Sequence, residues 1–94
     1  MSAPRIKKHL AINDFLKIIA EENRLKTLRL LKDGKKCVSE IWQYLQIPQN
    51  LASHHLRILK TSGLISSQKE GLRVFYYLNR RTLRKNVRKL KNSL

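Results

Sequence analysis

The stretch SHHLRILKTSGLISSQKEGLRVFYYL, Ser53 to Leu78, changes its apolar period from that of a helix to that of a strand across one glycine. Before Gly63, Ala52, Leu56 and Leu59 recur at i, i+4 and i+7. They therefore share one stripe of a helix running from about Gln49 to Ser62, with Leu51 flanking it. Gly63 followed by Leu64 suits a left-handed helix cap closed by an apolar contact. Beyond it, strand-forming residues gather on both sides of Glu70-Gly71, where glycine tolerates the positive φ of a tight turn. In the second strand Val74, Tyr76 and Leu78 face one way, and Phe75 and Tyr77 the other. A helix that buries a leucine stripe and runs through a glycine into a hairpin admits few architectures. The chain has 94 residues, which fits a single domain, 1–94.

The same helix carries a second stripe of a different character. Gln49, Ser53 and Arg57, with Asn50 and His54 beside them and Lys60 one turn on, lie opposite the leucines. Adjacent histidines sit about a hundred degrees apart around a helix, so the pair divides. His54 points outward, whereas His55 falls within the apolar stripe and reads as a core-edge histidine with a hydrogen-bonded ring. Phe75, Tyr76 and Tyr77 read as strand formers before they read as a base-stacking platform.

The remaining segments supply the scaffold. Ile6, Leu10, Phe15, Ile18 and Ile19 recur at helical spacing between Arg5 and Ala20. Leu25, Leu28 and Leu31 predict a helix over Asn23 to Lys32, stopped by Gly34. KKCVSEIWQYLQIP reads as a short extended lead-in and then a helix burying Ile41, Trp42 and Leu45, and Pro48 opens the next helix. In the tail, Leu83, Val87, Leu90 and Leu94 share one side of a last helix, with cations around the rest. The layout is mainly α with a small β-hairpin: a winged helix-turn-helix, with the helix-turn-helix over 38–62 and the wing over 64–79.

Charge narrows the partner. Lys and Arg number 21 against 6 Asp and Glu, a formal net charge of +15 that repels itself unless a polyanion is bound. Nucleic acid is preferred over an anionic membrane surface. The one cysteine, Cys37, excludes an intramolecular disulfide and fits a reducing compartment. No apolar run approaches bilayer length and the N-terminal residues lack a secretory pattern, so a cytoplasmic protein is expected.

At this point ENRLKTLRLLKDG, LASHHLRILKTSGLI and KEGLRVFYYL together resemble the arsenic-repressor (ArsR/SmtB) family of small dimeric winged-helix repressors, over Glu21 to Leu78. The resemblance implies a homodimer paired through the first and last helices, 5–20 and 80–94, with Ile6, Leu10, Phe15, Leu83, Val87 and Leu90 at the interface. It implies a recognition helix in the major groove, where Gln49, Asn50, Ser53, His54 and Arg57 match DNA-facing positions and Lys60 extends the cationic side. Lys69 and Arg73 on the wing would hold phosphates. These types suit the task, since Gln and Asn pair with adenine edges and Arg with guanine or phosphate. Two departures stand out: Pro48 replaces the family's usual helix-capping Ser, and Leu72 stands where an Arg commonly follows the wing glycine.

The same resemblance bears on sensing. The family's thiol box needs a second thiol where Ser39 stands, and the last helix has no His, Asp or Glu for an inter-subunit zinc site. His9 with Cys37 leaves a tetrahedral site short of ligands, so no metal or cofactor is expected. Cys37 reads first as a small buried residue. A redox-responsive thiol flanked by Lys35 and Lys36 is the alternative. No acid pair, phosphate loop or nucleophile constellation suggests an enzyme. The rival to a sequence-specific repressor on an inverted-repeat operator is a nonspecific architectural DNA binder. The basic last helix reads first as a solvated face and alternatively as a surface for flanking DNA or another macromolecule. No inducer is named by any of these residues.

Overall fold

The computed structural model describes residues 10–94. Its elements run α1 (Ile12–Ala20), α2 (Glu22–Leu31), β1 (Lys36–Cys37), α3 (Val38–Leu45), α4 (Gln49–Thr61), β2 (Ile65–Glu70), β3 (Arg73–Leu78) and α5 (Arg80–Asn92). Among the described residues the first helix begins at Ile12, after an extended Ala11 at φ −63° and ψ 145°. Leu10 lies buried in the core and its carbonyl accepts from Lys89 Nζ at 2.8 Å. Arg5, Ile6 and His9 lie outside the described residues.

α2 starts one residue after α1 ends. Glu21 caps it, its carboxylate accepting from the Arg24 N–H at 3.0 Å. The stop falls at Gly34, whose φ of 132° is closed to most side chains. The extended lead-in that follows is more than a connector. β1 pairs antiparallel with β3, Lys36 opposite Tyr76 and Cys37 opposite Phe75, so the expected hairpin is a three-stranded sheet in the order β1-β3-β2. At the start of α3 the Cys37 N–H donates to Glu40 Oε1 at 3.0 Å. Ile41 and Leu45 are buried as expected, but Trp42 is only half-buried, and the core closes over its neighbours.

Two caps fix the helix-turn-helix. At the end of α3, Gln46 takes the left-handed conformation, at φ 57°, while Ile47 N–H bonds the Trp42 carbonyl and Gln46 N–H the Gln43 carbonyl. At the end of α4, Gly63 does the same at φ 84°, with Leu64 N–H on the Leu59 carbonyl and Gly63 N–H on that of Lys60. Leu64 then enters the core. Asn79 ties the far end of the wing to this cap, donating from Nδ2 to the Gly63 carbonyl at 2.8 Å. In the hairpin Glu70 pairs with Arg73, so Gly71 and Leu72 form the loop, one residue later than the predicted Glu70-Gly71. Gly71 sits first in it, at φ 61°, where a two-residue loop with one positive φ needs glycine.

One core joins all of this: Phe15, Leu28, Leu31, Ile41, Leu45, Leu56, Leu59, Leu64, Ile65 and Leu78, together with Leu10. Leu10 and Phe15, expected at a subunit interface, are consumed here; each is no more than 3% exposed. α5 packs on α1. Its Asn86 is buried with Nδ2 donating to the Thr82 carbonyl at 2.9 Å, Leu83 packs against the core, Leu90 is half-buried, and Val87 is 49% exposed.

Candidate nucleic-acid interface

α4 is held from behind by α2, α3 and β2. Ala52, His55, Leu56 and Leu59 fill its inner face and are at most 5% exposed. The alternate face is therefore left to solvent. Gln49, Asn50, His54, Arg57 and Lys60 are exposed and Ser53 is half-buried. Ser53, Leu56, Arg57 and Lys60 line a groove of about 290 Å³ that Tyr76 of β3 closes on its far side. Tyr76, which its sequence context marks first as a strand former, is thus also a neighbour of this face.

The wing brings its cations forward by removing an anion. Glu70 is gripped by Lys35 Nζ at 2.6 and 2.8 Å, and the same ammonium lies 5.0 Å from the Phe75 ring centroid. Lys69 and Arg73 stay exposed on either side of the loop, with Leu72 fully exposed at its tip. Nothing in the sequence pattern pairs residues 35 apart, so the neutralisation of Glu70 was not foreseen.

His55 holds the back of the helix. Arg24 Nη1 lies 3.4 Å from its Nδ1, and Glu21 Oε1 lies 3.8 Å from its Nε2. An arginine can only donate, so Nδ1 accepts and the ring proton belongs on Nε2, facing the carboxylate. Arg24 continues to the carbonyls of Ile18 (2.8 Å) and Lys17 (3.4 Å), so one guanidinium joins α1, α2 and α4. Burial holds the His55 ring below its ordinary pKa of 6.5; Glu21 opposes this, while Arg24 and His54 add to it. The two imidazoles are 5.6 Å apart and tilted by 59°.

A buried-backed helix with an amide, hydroxyl and imidazole face, beside a cationic hairpin, is the geometry of a winged helix-turn-helix DNA reader. The model of the bacterial regulatory protein, arsR family, matches residues 21–67, from the cap of α2 to the middle of β2. An uncharacterized HTH-type transcriptional regulator of Methanocaldococcus jannaschii is 38% identical over 74 residues, 78% of this chain and 83% of the relative.

The chain belongs to the arsR family.

This ArsR-family protein is also similar to the transcriptional repressor SmtB of Mycobacterium tuberculosis, at 34% identity over 68 residues. That match takes in 72% of the chain but half the length of SmtB. Among solved structures, a possible transcriptional regulator for arsenical resistance superposes with a TM-score of 0.77 at 30% identity, over 85% of this chain and 82% of that one. The homodimeric winged helix-turn-helix DNA-binding domain of a possible ArsR-family regulator from Mycobacterium bovis superposes at 0.72 and 26% identity, over 87% and 77%. The ArsR-family chain is thus a DNA-binding transcription regulator and not an enzyme.

In this ArsR-family protein Cys37 is 6% exposed, with Sγ 3.2 Å from the Ser39 hydroxyl. The flanking lysines look elsewhere, Lys35 to Glu70 and Lys36 to the Gly34 carbonyl at 3.5 Å. With Val38 and Ser39, Cys37 lines a cavity of about 310 Å³ that Leu72, Arg73 and Val74 of the wing complete. Among the described residues no three His, Cys, Asp or Glu side chains group as metal ligands. Nor is any helix among them long and apolar enough to cross a membrane.

Proposed function

We propose that this ArsR-family protein is a sequence-specific repressor that binds an inverted-repeat duplex as a homodimer and blocks transcription by occupying the promoter. One observation carries the reading: the outward face of α4 gathers Gln49, Asn50, Ser53, His54 and Arg57 while its inner face is locked in the core. Gln49 and Asn50 suit adenine edges, Arg57 suits guanine, and Ser53 and His54 suit either bases or phosphates. Lys60, Lys69 and Arg73 supply sequence-independent phosphate contacts. The homodimeric relative supports a two-fold arrangement, which would set two α4 helices one helical turn of DNA apart or a multiple of it. The cytoplasm, where the promoter lies, is the site of action.

Selection of bound fragments from random duplex tests this. The expected product is a two-fold repeat preferred over random DNA by about a thousandfold or more. A steep salt dependence without such preference would make the protein an architectural binder instead.

A redox response is the second reading, favoured by the cavity that Cys37 shares with Arg73. Oxidation of the thiol by peroxide would add polar volume between β1 and the wing. Cys37→Ser should keep basal DNA binding and lose any sensitivity to peroxide.

A further inference from the structure

α5 has three faces. Leu83, Asn86 and Leu90 turn toward the molecule, and exposed Val87 stands beside them. The remaining arc carries Arg81, Arg84, Lys85 and Arg88, at i, i+3, i+4 and i+7. These four side chains line a depression of about 400 Å³, which shares no residue with the groove beside α4. Arg80 and Lys89 are otherwise engaged, donating to the Lys32 and Leu10 carbonyls at 2.7 and 2.8 Å.

The stripe works against the helix that carries it. Like charges one turn apart on the same face of a helix destabilise it. Cations are also misplaced at a helix N-terminus, yet the first turn of α5 holds Arg80 and Arg81 and no acid. No Asp or Glu follows Glu70 anywhere in the chain. Elsewhere the chain does pair its charges, as in Glu22 with Lys26 at 2.8 Å and Glu70 with Lys35. A face meant only for solvent would intersperse its signs at no cost.

The chemistry selects the compensating anion. Three of the four cations are arginines, whose planar fork meets phosphate bidentately. Arg81 to Arg88 spans about 10 Å of helix axis, and a duplex offers a phosphate about every 3.4 Å along each strand. The exposed apolar neighbours are Val87 and Leu94, without the aromatic anchors of a bilayer-lying helix.

We infer that Arg81, Arg84, Lys85 and Arg88 form a second, sequence-independent surface for duplex phosphates, with which a molecule seated on DNA through α4 holds another DNA segment. The choice of duplex rests on the DNA-binding reading of α4.

The test is capture of a labelled random duplex by full-length protein bound to a tethered repeat duplex. The variant R81Q/R84Q/K85Q/R88Q removes the stripe with a good helix former, and K17Q/K26Q/R29Q/K32Q removes equal charge from α1, α2 and the C-cap of α2. The stripe variant should lose second-duplex capture by at least about tenfold while holding the tethered duplex within about threefold, and the control should behave as wild type. The milder pair R84Q/R88Q should fall between, which protects the result against a folding defect. Absence of capture by wild type, equal losses in both variants, or preferential capture of single-stranded RNA or phosphatidylserine vesicles overturns the inference. Loss of sequence preference for the tethered duplex would sink the operator reading alone.

Discussion

His55 uses both ring nitrogens inside the molecule, one accepting from Arg24 and the other facing Glu21, while His54 on the next position keeps its ring in solvent. Their substitutions should therefore separate. His54→Ala and Ser53→Ala are expected to leave folding intact and to lower affinity for the selected repeat by about tenfold or more, with a smaller loss on random duplex. Competition binding with the two duplexes checks this, and equal losses would remove both residues from base reading. His55 instead governs stability against pH. Because burial depresses its folded pKa, the unfolded chain takes up the proton first as pH falls through 6.5. Stability is thus full above 6.5 and declines from there toward the lower folded value. Urea midpoints should drop as pH falls below 6.5, and His55→Gln should flatten that drop. The acids act in another window: Glu40, held low by the Cys37 backbone N–H, and Glu22, held low by Lys26, lose their contributions only below 4.5.

At the scale of elements, what could be read from the sequence is what local chemistry decides. Gly63-Leu64 marks the end of α4 because only one conformation closes that cap, and the leucine period settles which face is buried. The polar stripe of the candidate interface is legible for the same reason. Pairings between distant segments are not. β1 is two residues long and becomes a strand only because β3 lies alongside it. Arg24 reaches His55 across 31 positions, and Lys35 reaches Glu70 across 35. The hairpin loop moved one residue because strand register, and not glycine alone, chose it. The wing also yields a prediction. With Glu70 paired to Lys35, Arg73 remains an exposed cation beside the loop. Arg73→Ala should weaken binding to all duplexes alike and lower the salt slope of log K by about one unit, measured by titration over a range of salt. An unchanged slope would take Arg73 off the phosphates.

For the whole molecule, two forces act in opposite senses on assembly. A net charge of +15 makes two copies repel, whereas apolar surface remains on the adjoining helices α1 and α5, where Leu16 is 37% and Val87 49% exposed. Leu10 and Phe15 are buried within one chain, and Leu83 packs against its core. Val87 is therefore the position at which a charge would break a dimer without unfolding the protomer. Val87→Glu is expected to sediment as a monomer with unchanged helicity. Its affinity for the inverted repeat should fall by about a hundredfold or more, since one reading helix is lost from each complex. A Val87→Glu protein that remains dimeric would place the seam elsewhere. The charge also fixes the sign of a salt effect. Raising salt screens the repulsion between copies and so favours the wild-type dimer, while it weakens DNA binding through counterion release. Sedimentation and DNA titration across one salt series should move in opposite directions, and parallel trends would mean that charge, not apolar area, holds the copies together.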